Sequence, residues 1–510
     1  GSVTIAGAVI TEGSQTYNAN VQVAAADLQL ATRGPATSGY DILFNNGITK
    51  SGAGDATLTV KAHRDIFVQS NITASGGKLN VLLEADVENT GSSISRDGAG
   101  FIQINNNITT NGGYLQLGTG ATTSIGGVST VVGGDVYLAG TTLQTFNTSG
   151  GALTVNGEVM LANPLGLTVQ TSGGNATFNG VLNSANSYSF VLKTTSNDTW
   201  AEAKAEAKSG NGDATADTYL ATITSRLENA IASRAANYRT AWLGGSRGGA
   251  ISSDASDDWY WVTGPEGLAN AGRGTLFFNQ TAAQTSTTPV GGTAANGAFI
   301  NWNVNSSSQR SEPNSTGEDY LQMVGTKGLW NDLSGTNTAP DGYIKEMNAV
   351  ASSLTVNAGS GNVNFAKSIG TGKNLASLTI TGNVITLSDA LNTSDGTSIT
   401  NADASTITGS ISGAGALTKN GTGKLTLSGA NTYTGTTAVN AGTLSAASSG
   451  ALGTSAAGTT VADGAALELQ GNITVADAIS LKGTGVSGTG VLRNLSGSNA
   501  VTGLVTMTGD

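Results

Sequence analysis

The 510 residues contain no cysteine, a single histidine (His63) and six prolines. The missing cysteine excludes a disulfide framework and thiolate chemistry. It leaves the redox compartment open, because large stacked folds hold together without disulfides. One histidine argues against His-dependent nucleophilic catalysis and His-rich metal sites. Charge is scarce as well: 23 basic and 34 acidic residues make up 11% of the chain, with a net charge of −11. No basic stripe is present, so nucleic acid is not an expected partner. No apolar run approaches the ~20 residues that a membrane-spanning helix needs. Disordered chains are rich in charge and proline, and this one is poor in both. Its 73 glycines follow no three-residue period, which excludes collagen. What remains is a composition of many short strands and many turns. The opening Gly1-Ser2 reads as a cloning scar and the chain stops at Asp510 inside a repetitive stretch, so a fragment of something longer is expected.

What the chain does contain is repetition. Ser70–Leu83, SNITASGGKLNVLL, recurs as NNITTNGGYLQL at Asn106–Leu117, and looser echoes begin at Thr148 and Thr171. Each unit is a short alternating strand with a turn built on Asn and Gly-Gly, and the first two share an Asn-Ile-Thr stretch before it. Alternation places Leu79, Val81 and Leu83 on one face and Lys78, Asn80 and Leu82 on the other. The glycine pairs supply the positive φ that a tight corner requires. A unit this short cannot bury its own apolar face, so neighbours must stack. The expected fold is mainly β, a right-handed parallel β-helix (β-solenoid), with an antiparallel sandwich of meanders as the alternative. His63 is expected as a partly exposed structural residue on a solenoid strand.

Two runs carry family resemblances. Gly413–Leu444 contains Leu417-Thr418-Lys419, Gly423–Leu427, Asn431–Gly435 and Gly442-Thr443-Leu444, and resembles the strand repeat of autotransporter passenger domains. Leu58–Asp86 resembles filamentous-haemagglutinin-type adhesins. Both resemblances imply a secreted, surface-displayed bacterial solenoid.

Between the repetitive parts the texture changes. Thr199–Lys208 is dense in helix formers. Ser225–Tyr238 puts Leu227, Ile231 and Ala235 on one helical face, with Thr224 or Ser225 as N-cap and Glu228 in capping-box position for Ser225. All six tryptophans fall between Trp200 and Trp330. They are expected mostly in a core, with a sugar-stacking platform as the alternative. An aromatic island inside an aromatic-poor repeat reads as an inserted globular domain. The expected division is 1–186 solenoid, 187–348 inserted domain and 349–510 solenoid.

Within that island Glu312, Asn314, Glu318, Asn331 and Asp332 offer three carboxylates and two amide oxygens. Hard oxygen donors in this number suit Ca2+ better than Zn2+ or Mg2+; the alternative is a surface turn of solvated acids. A cis bond before Pro313 would aim Glu312 and Asn314 toward one point. Asn314 could then donate to a sugar hydroxyl while Glu312 accepts from one.

The ordered set of Thr199-Trp200 with Glu202-Ala203, Thr218–Ile231, Ala241–Gly245, Trp259–Gly267, Phe299–Trp302, Glu312-Pro313-Asn314, Glu318-Asp319, Trp330-Asn331-Asp332 and Gly342–Glu346 resembles a C-type lectin-like domain. The resemblance implies an α+β insertion. It also implies that Glu312, Asn314, Glu318, Asn331 and Asp332 bind calcium and a mannose-, glucose- or fucose-type sugar. Departures accompany it. The usual cysteines are absent, with Tyr320 where one is usual; the step from Asn314 to Glu318 is short; Leu268–Gly297 is long and polar; and Ser315 disfavours a second calcium. The expected function is that of an extracellular bacterial adhesin fragment binding surface or matrix glycans, and no enzyme is expected. A module that binds host or bacterial surface proteins is the alternative. A polysaccharide-cleaving solenoid is a weaker third reading, because the strands carry few, scattered acids.

Overall fold

The computed structural model describes residues 1–33, 39–90, 93–95, 100–125, 128–131, 133–193, 199–208, 218–248, 258–280, 292–305, 310–313, 317–325 and 328–509. The chain separates into two compact units. One comprises Gly1–Arg96, Gly100–Ala185 and Val350–Asp510, and the other is built on Asn186–Ala349.

The first unit is a parallel β-solenoid of the right-handed type with about 18 turns. Its strands alternate as their sequences require: Leu79, Val81 and Leu83 are fully buried, while Asn80 and Leu82 are half-buried on the other face. Successive turns pair in register, so the interior is a set of apolar columns. Val81, Leu115, Leu153 and Ala176 stack in one such column, each on the next turn. Turn length varies where hairpins intervene. The turn from Leu58 to Val81 is short, and those from Val81 to Leu115 and from Leu115 to Leu153 are longer. The two longer turns contain the antiparallel hairpins Glu88–Thr90 with Ser93–Ser95 and Thr122–Ile125 with Val128–Val131.

The glycine corners divide their work between the two members of each pair. Gly112, Gly150 and Gly173 adopt φ of +91°, +105° and +115°, as expected of the corner. Their partners are needed for a different reason. A Cβ on Gly113 would lie 2.2 Å from Leu79 O, one on Gly151 2.0 Å from Gly113 O, and one on Gly174 2.0 Å from Gly151 O. Backbone of one turn thus rests directly on backbone of the next. Thr110, Thr148 and Thr171 close these corners by donating to the carbonyls of Gly113, Gly151 and Gly174.

The second unit interrupts this stack without disturbing it. Strand Leu167–Gln170 pairs with Leu354–Asn357, and Ala176–Phe178 with Val363–Phe365, both with the same sequence offset. The turn that the chain leaves at Ala185 is therefore completed from Val350 onward. With 186–349 set aside, that turn is as long as the preceding one, from Leu153 to Ala176.

The second unit combines helices α1 (Trp200–Ala207) and α2 (Arg226–Ala235) with a nine-stranded sheet. Its first strand, Ser187–Leu192, lies antiparallel to its last, Gly342–Met347, which brings the two ends of the unit together. Thr199 and Glu202 form a complete capping box on α1. On α2 Ser225 caps Glu228 N–H as expected, but the Glu228 carboxylate accepts from Thr224, at 2.6 Å from its N–H and 2.7 Å from its hydroxyl. All six tryptophans are at most 9% exposed. Trp261 stacks on Phe277 at 4.5 Å and meets Trp330 edge-on at 5.5 Å. They form a core, which removes the sugar-stacking platform.

Candidate functional site

Of the expected calcium ligands, Asn331 and Asp332 lie on strand Leu329–Leu333, and Glu312 is joined to that strand through backbone bonds. Trp330 anchors that strand: fully buried, it donates its backbone N–H to Asn301 O at 2.7 Å and accepts from Asn303 N at 2.8 Å. Asn303 O in turn accepts from Glu312 N at 3.0 Å. A relay of two backbone hydrogen bonds therefore joins Glu312 to the residue before Asn331. The Glu312-Pro313 bond is cis. Strand Tyr320–Val324 pairs with Leu329–Leu333, setting Leu321 opposite Asp332 and Gln322 opposite Asn331. Glu318 immediately precedes Asp319, whose carboxylate accepts from Arg247 Nε at 2.8 Å and whose carbonyl accepts from Arg247 N at 2.9 Å.

The convergence is one of segments more than of side-chain oxygens. Asp332 is fully buried on the same face as Trp330, whereas Asn331 is half-buried and on the opposite face, its amide donating to Asp332 O at 2.5 Å. Asn314 and Ser315 lie outside the described residues, as does 281–291 of the long polar segment. Among the described residues no three His, Cys, Asp or Glu side chains form a group able to hold a metal. The donor set itself, carboxylates and amides without sulfur or imidazole, has the chemistry of a hard divalent cation site. Glu312, Asn314, Glu318, Asn331 and Asp332 are the residues that would hold it.

A second acidic cluster in this unit was not legible in the sequence. Glu346, 1% exposed, accepts from Thr222 N at 2.9 Å, Tyr219 OH at 3.0 Å, Thr222 Oγ1 at 3.1 Å and Asn186 Nδ2 at 2.5 Å. Tyr188 OH donates to Glu228 at 2.6 Å, and Thr222 Oγ1 also reaches Glu266 at 3.1 Å. Burial, then the charges of Glu228 and Glu266, push the Glu346 carboxyl up to about 8. Burial, then the charges of Glu228 and Glu346, raise the Tyr188 hydroxyl well above the usual tyrosine range, and burial, then the charges of Glu346 and Glu266, do the same to Tyr219. Three glutamates scattered from 228 to 346 carry no local signature, so only the fold gathers them.

The solenoid holds its own buried charges. Arg64 grips Asp41 through two 2.9 Å hydrogen bonds and lies 3.4 Å from Asp65. These acids, expected to be scattered, meet at one corner and hold backbone: Asp65 Oδ1 accepts from Phe101 N at 3.1 Å. His63 is 3% exposed, its ring edge-on to Tyr40 at 5.9 Å, so it is buried and not partly exposed as expected. Neighbouring turns stack over the 62–65 corner, which a single-strand reading does not register.

Residues 417–446 match the family model of the passenger-associated transport repeat. In the structure they form strands Ala416–Asn420, Lys424–Leu427, Thr437–Val439 and Thr443–Ala446. The fully buried Lys419 caps three carbonyls there, those of Asn420 at 2.7 Å, Gly421 at 2.8 Å and Ala441 at 3.0 Å. Burial lowers its ammonium to about 8. A stretch of 174 residues is 32% identical to halomucin of Haloquadratum walsbyi (strain DSM 16790 / HBSQ001), covering 32% of this chain. The chain spans about 2% of the length of that relative. No solved structure matches it significantly. Repeat and solenoid together fit a secreted, surface-exposed adhesin-like fragment. Among the described residues no helix is long and apolar enough to cross a membrane.

Proposed function

We propose that the chain is part of a bacterial cell-surface adhesin whose solenoid carries a calcium-dependent, carbohydrate-binding module at 187–348 of C-type lectin-like kind. Glu312, Asn314, Glu318, Asn331 and Asp332 would hold the calcium ion and the hydroxyls of a mannose-, fucose- or glucose-type sugar. The observation that carries this reading is the relay through Asn303, which ties Glu312 to the Trp330-Asn331-Asp332 strand although strand Tyr320–Val324 lies between them in the chain. Calcium, when bound, supplies the positive charge that a vicinal diol seeks. The Glu312 carboxylate accepts a hydroxyl proton and the Asn314 amide donates to a hydroxyl oxygen. Partners are then glycans of a host, a neighbouring cell or the surrounding matrix.

A glycan array probed in calcium and again in EDTA tests this. Mannose- or fucose-terminated glycans retained only in calcium support it. Capture of a protein partner that neither EDTA nor glycosidase prevents replaces it with the protein-binding reading.

A further inference from the structure

Trp330 is the hub of the candidate site, and its indole is held from outside that site. Its Nε1–H donates to Asn229 Oδ1 at 2.8 Å. Both residues are buried, Asn229 4% exposed and Trp330 fully enclosed. A buried indole N–H requires an acceptor, and here a helix provides it. Asparagine in mid-helix is a poor helix former, because its amide competes for nearby backbone groups. In α2 that amide is committed elsewhere, to the neighbouring strand.

The turn into that strand presses on the same helix. Gly328 adopts φ +58°, and a Cβ there would sit 2.7 Å from Asn229 Nδ2 and 3.1 Å from Ser233 Cβ. Gly328 O accepts from Asn301 Nδ2 at 2.9 Å, so the turn is fixed to the 301–303 segment as well. Asn229 thereby touches the turn and the indole, while Trp330 carries the backbone bonds to Asn301 and Asn303, and Asn303 carries Glu312. The two segments that contribute Glu312 and Asn331-Asp332 share one mechanical support.

We infer that Asn229 is a positioning residue for the cation site: its hydrogen bond to the Trp330 indole sets the strand that places Asn331 and Asp332 and, through Asn303, Glu312. This rests on the calcium reading above. Neighbours of this kind that orient ligands without touching the metal change affinity ~10-fold or more when removed.

The test is a calcium titration of the full chain, followed by calorimetry, with thermal melts recorded in EDTA. Asn229→Leu removes the acceptor and Trp330→Phe removes the donor, so one variant remains informative if the other fails to fold. Asn229→Asp keeps an acceptor and serves as the rescue. The expected result is a calcium Kd ~10-fold weaker in both Asn229→Leu and Trp330→Phe, with most of the affinity retained by Asn229→Asp. Variants that melt earlier in EDTA yet bind calcium as the parent does reduce Asn229 to a packing role and overturn the inference. A parent chain that takes up no calcium overturns the calcium reading itself, and the inference with it.

Discussion

Phe178 and Phe365 stack with ring centroids 4.6 Å apart and planes 3° from parallel, although Asn186–Ala349 of the second unit lies between them in the chain. They are register partners on adjacent turns of the solenoid. Just beyond, Ser184 Oγ accepts from Ser352 N at 2.9 Å. The register of the solenoid therefore continues from 185 to 350. Deleting 186–349 and joining Ala185 to Val350 restores a turn of the same length as its predecessor. The product is expected to keep a β-rich circular dichroism spectrum and a cooperative urea transition. An aggregated or non-cooperative product contradicts that register.

Truncating one partner of the stack leaves a cavity in the solenoid core. Phe365→Ala is expected to destabilise the solenoid by about 3–5 kcal/mol, read from urea midpoints. A loss below ~1 kcal/mol would show that the column tolerates rearrangement there.

The glycine corners separate two physical demands that the sequence does not distinguish. Gly173 needs φ +115°, and a Cβ there would meet only the Ser360 hydroxyl, at 3.3 Å, whereas a Cβ on Gly174 would lie 2.0 Å from the backbone oxygen of Gly151. Gly173→Ala is expected to lose about 1–2 kcal/mol of backbone preference. Gly174→Ala is expected to lose more, because adjacent turns must part. Equal urea midpoints for the two variants would contradict direct backbone stacking.

Every tryptophan lies in the second unit, so tryptophan fluorescence reports its unfolding alone. Glu346 has its carboxyl raised from 4.5 to about 8 in the folded state. Its protonated form is the one favoured by folding. That contribution is present in full below pH 4.5 and is lost as pH rises through about 8. Fluorescence-detected melts of the parent chain should fall across this window, and those of Glu346→Gln should fall less. Parallel curves would remove Glu346 as the cause. Lys419 has the opposite sign. Its ammonium is lowered from 10.5 to about 8, so the penalty for burying its charge holds below about 8 and eases toward 10.5. Lys419→Met should flatten a rise in solenoid stability over that range.

The solenoid was legible because its signals are local. Alternation, Asn-Ile-Thr strands and glycine corners recur at intervals short enough to align, and the buried columns of Leu79, Val81 and Leu83 follow from period two alone. The helices at 200–207 and 226–235 were legible for the same reason, through their caps and formers. Long-range selection was not. Nothing near Glu228 points to Glu346, nothing near Asn229 points to Trp330, and His63 is buried beside Thr32 and Tyr40 of another turn. At the candidate site the residue types were readable as a hard-oxygen set. The relay through Asn303 was not, since it consists of backbone bonds that any sequence can make.

Exchanging the ligand chemistry should exchange the sugar. Glu312→Gln with Asn314→Asp swaps the acid and amide positions around Pro313, which reverses the donor and acceptor order offered to a diol. Preference in competition binding is expected to move from mannose toward galactose. Unchanged preference would place sugar selection elsewhere.

The most direct measurement is calorimetric titration of mannose into the full chain in calcium, repeated in EDTA and with Asp332→Ala. Saturable heat is expected in calcium, with none in EDTA and none in the variant. Heat that persists in EDTA, or no heat in calcium with mannose, fucose or glucose, would contradict calcium-dependent sugar binding.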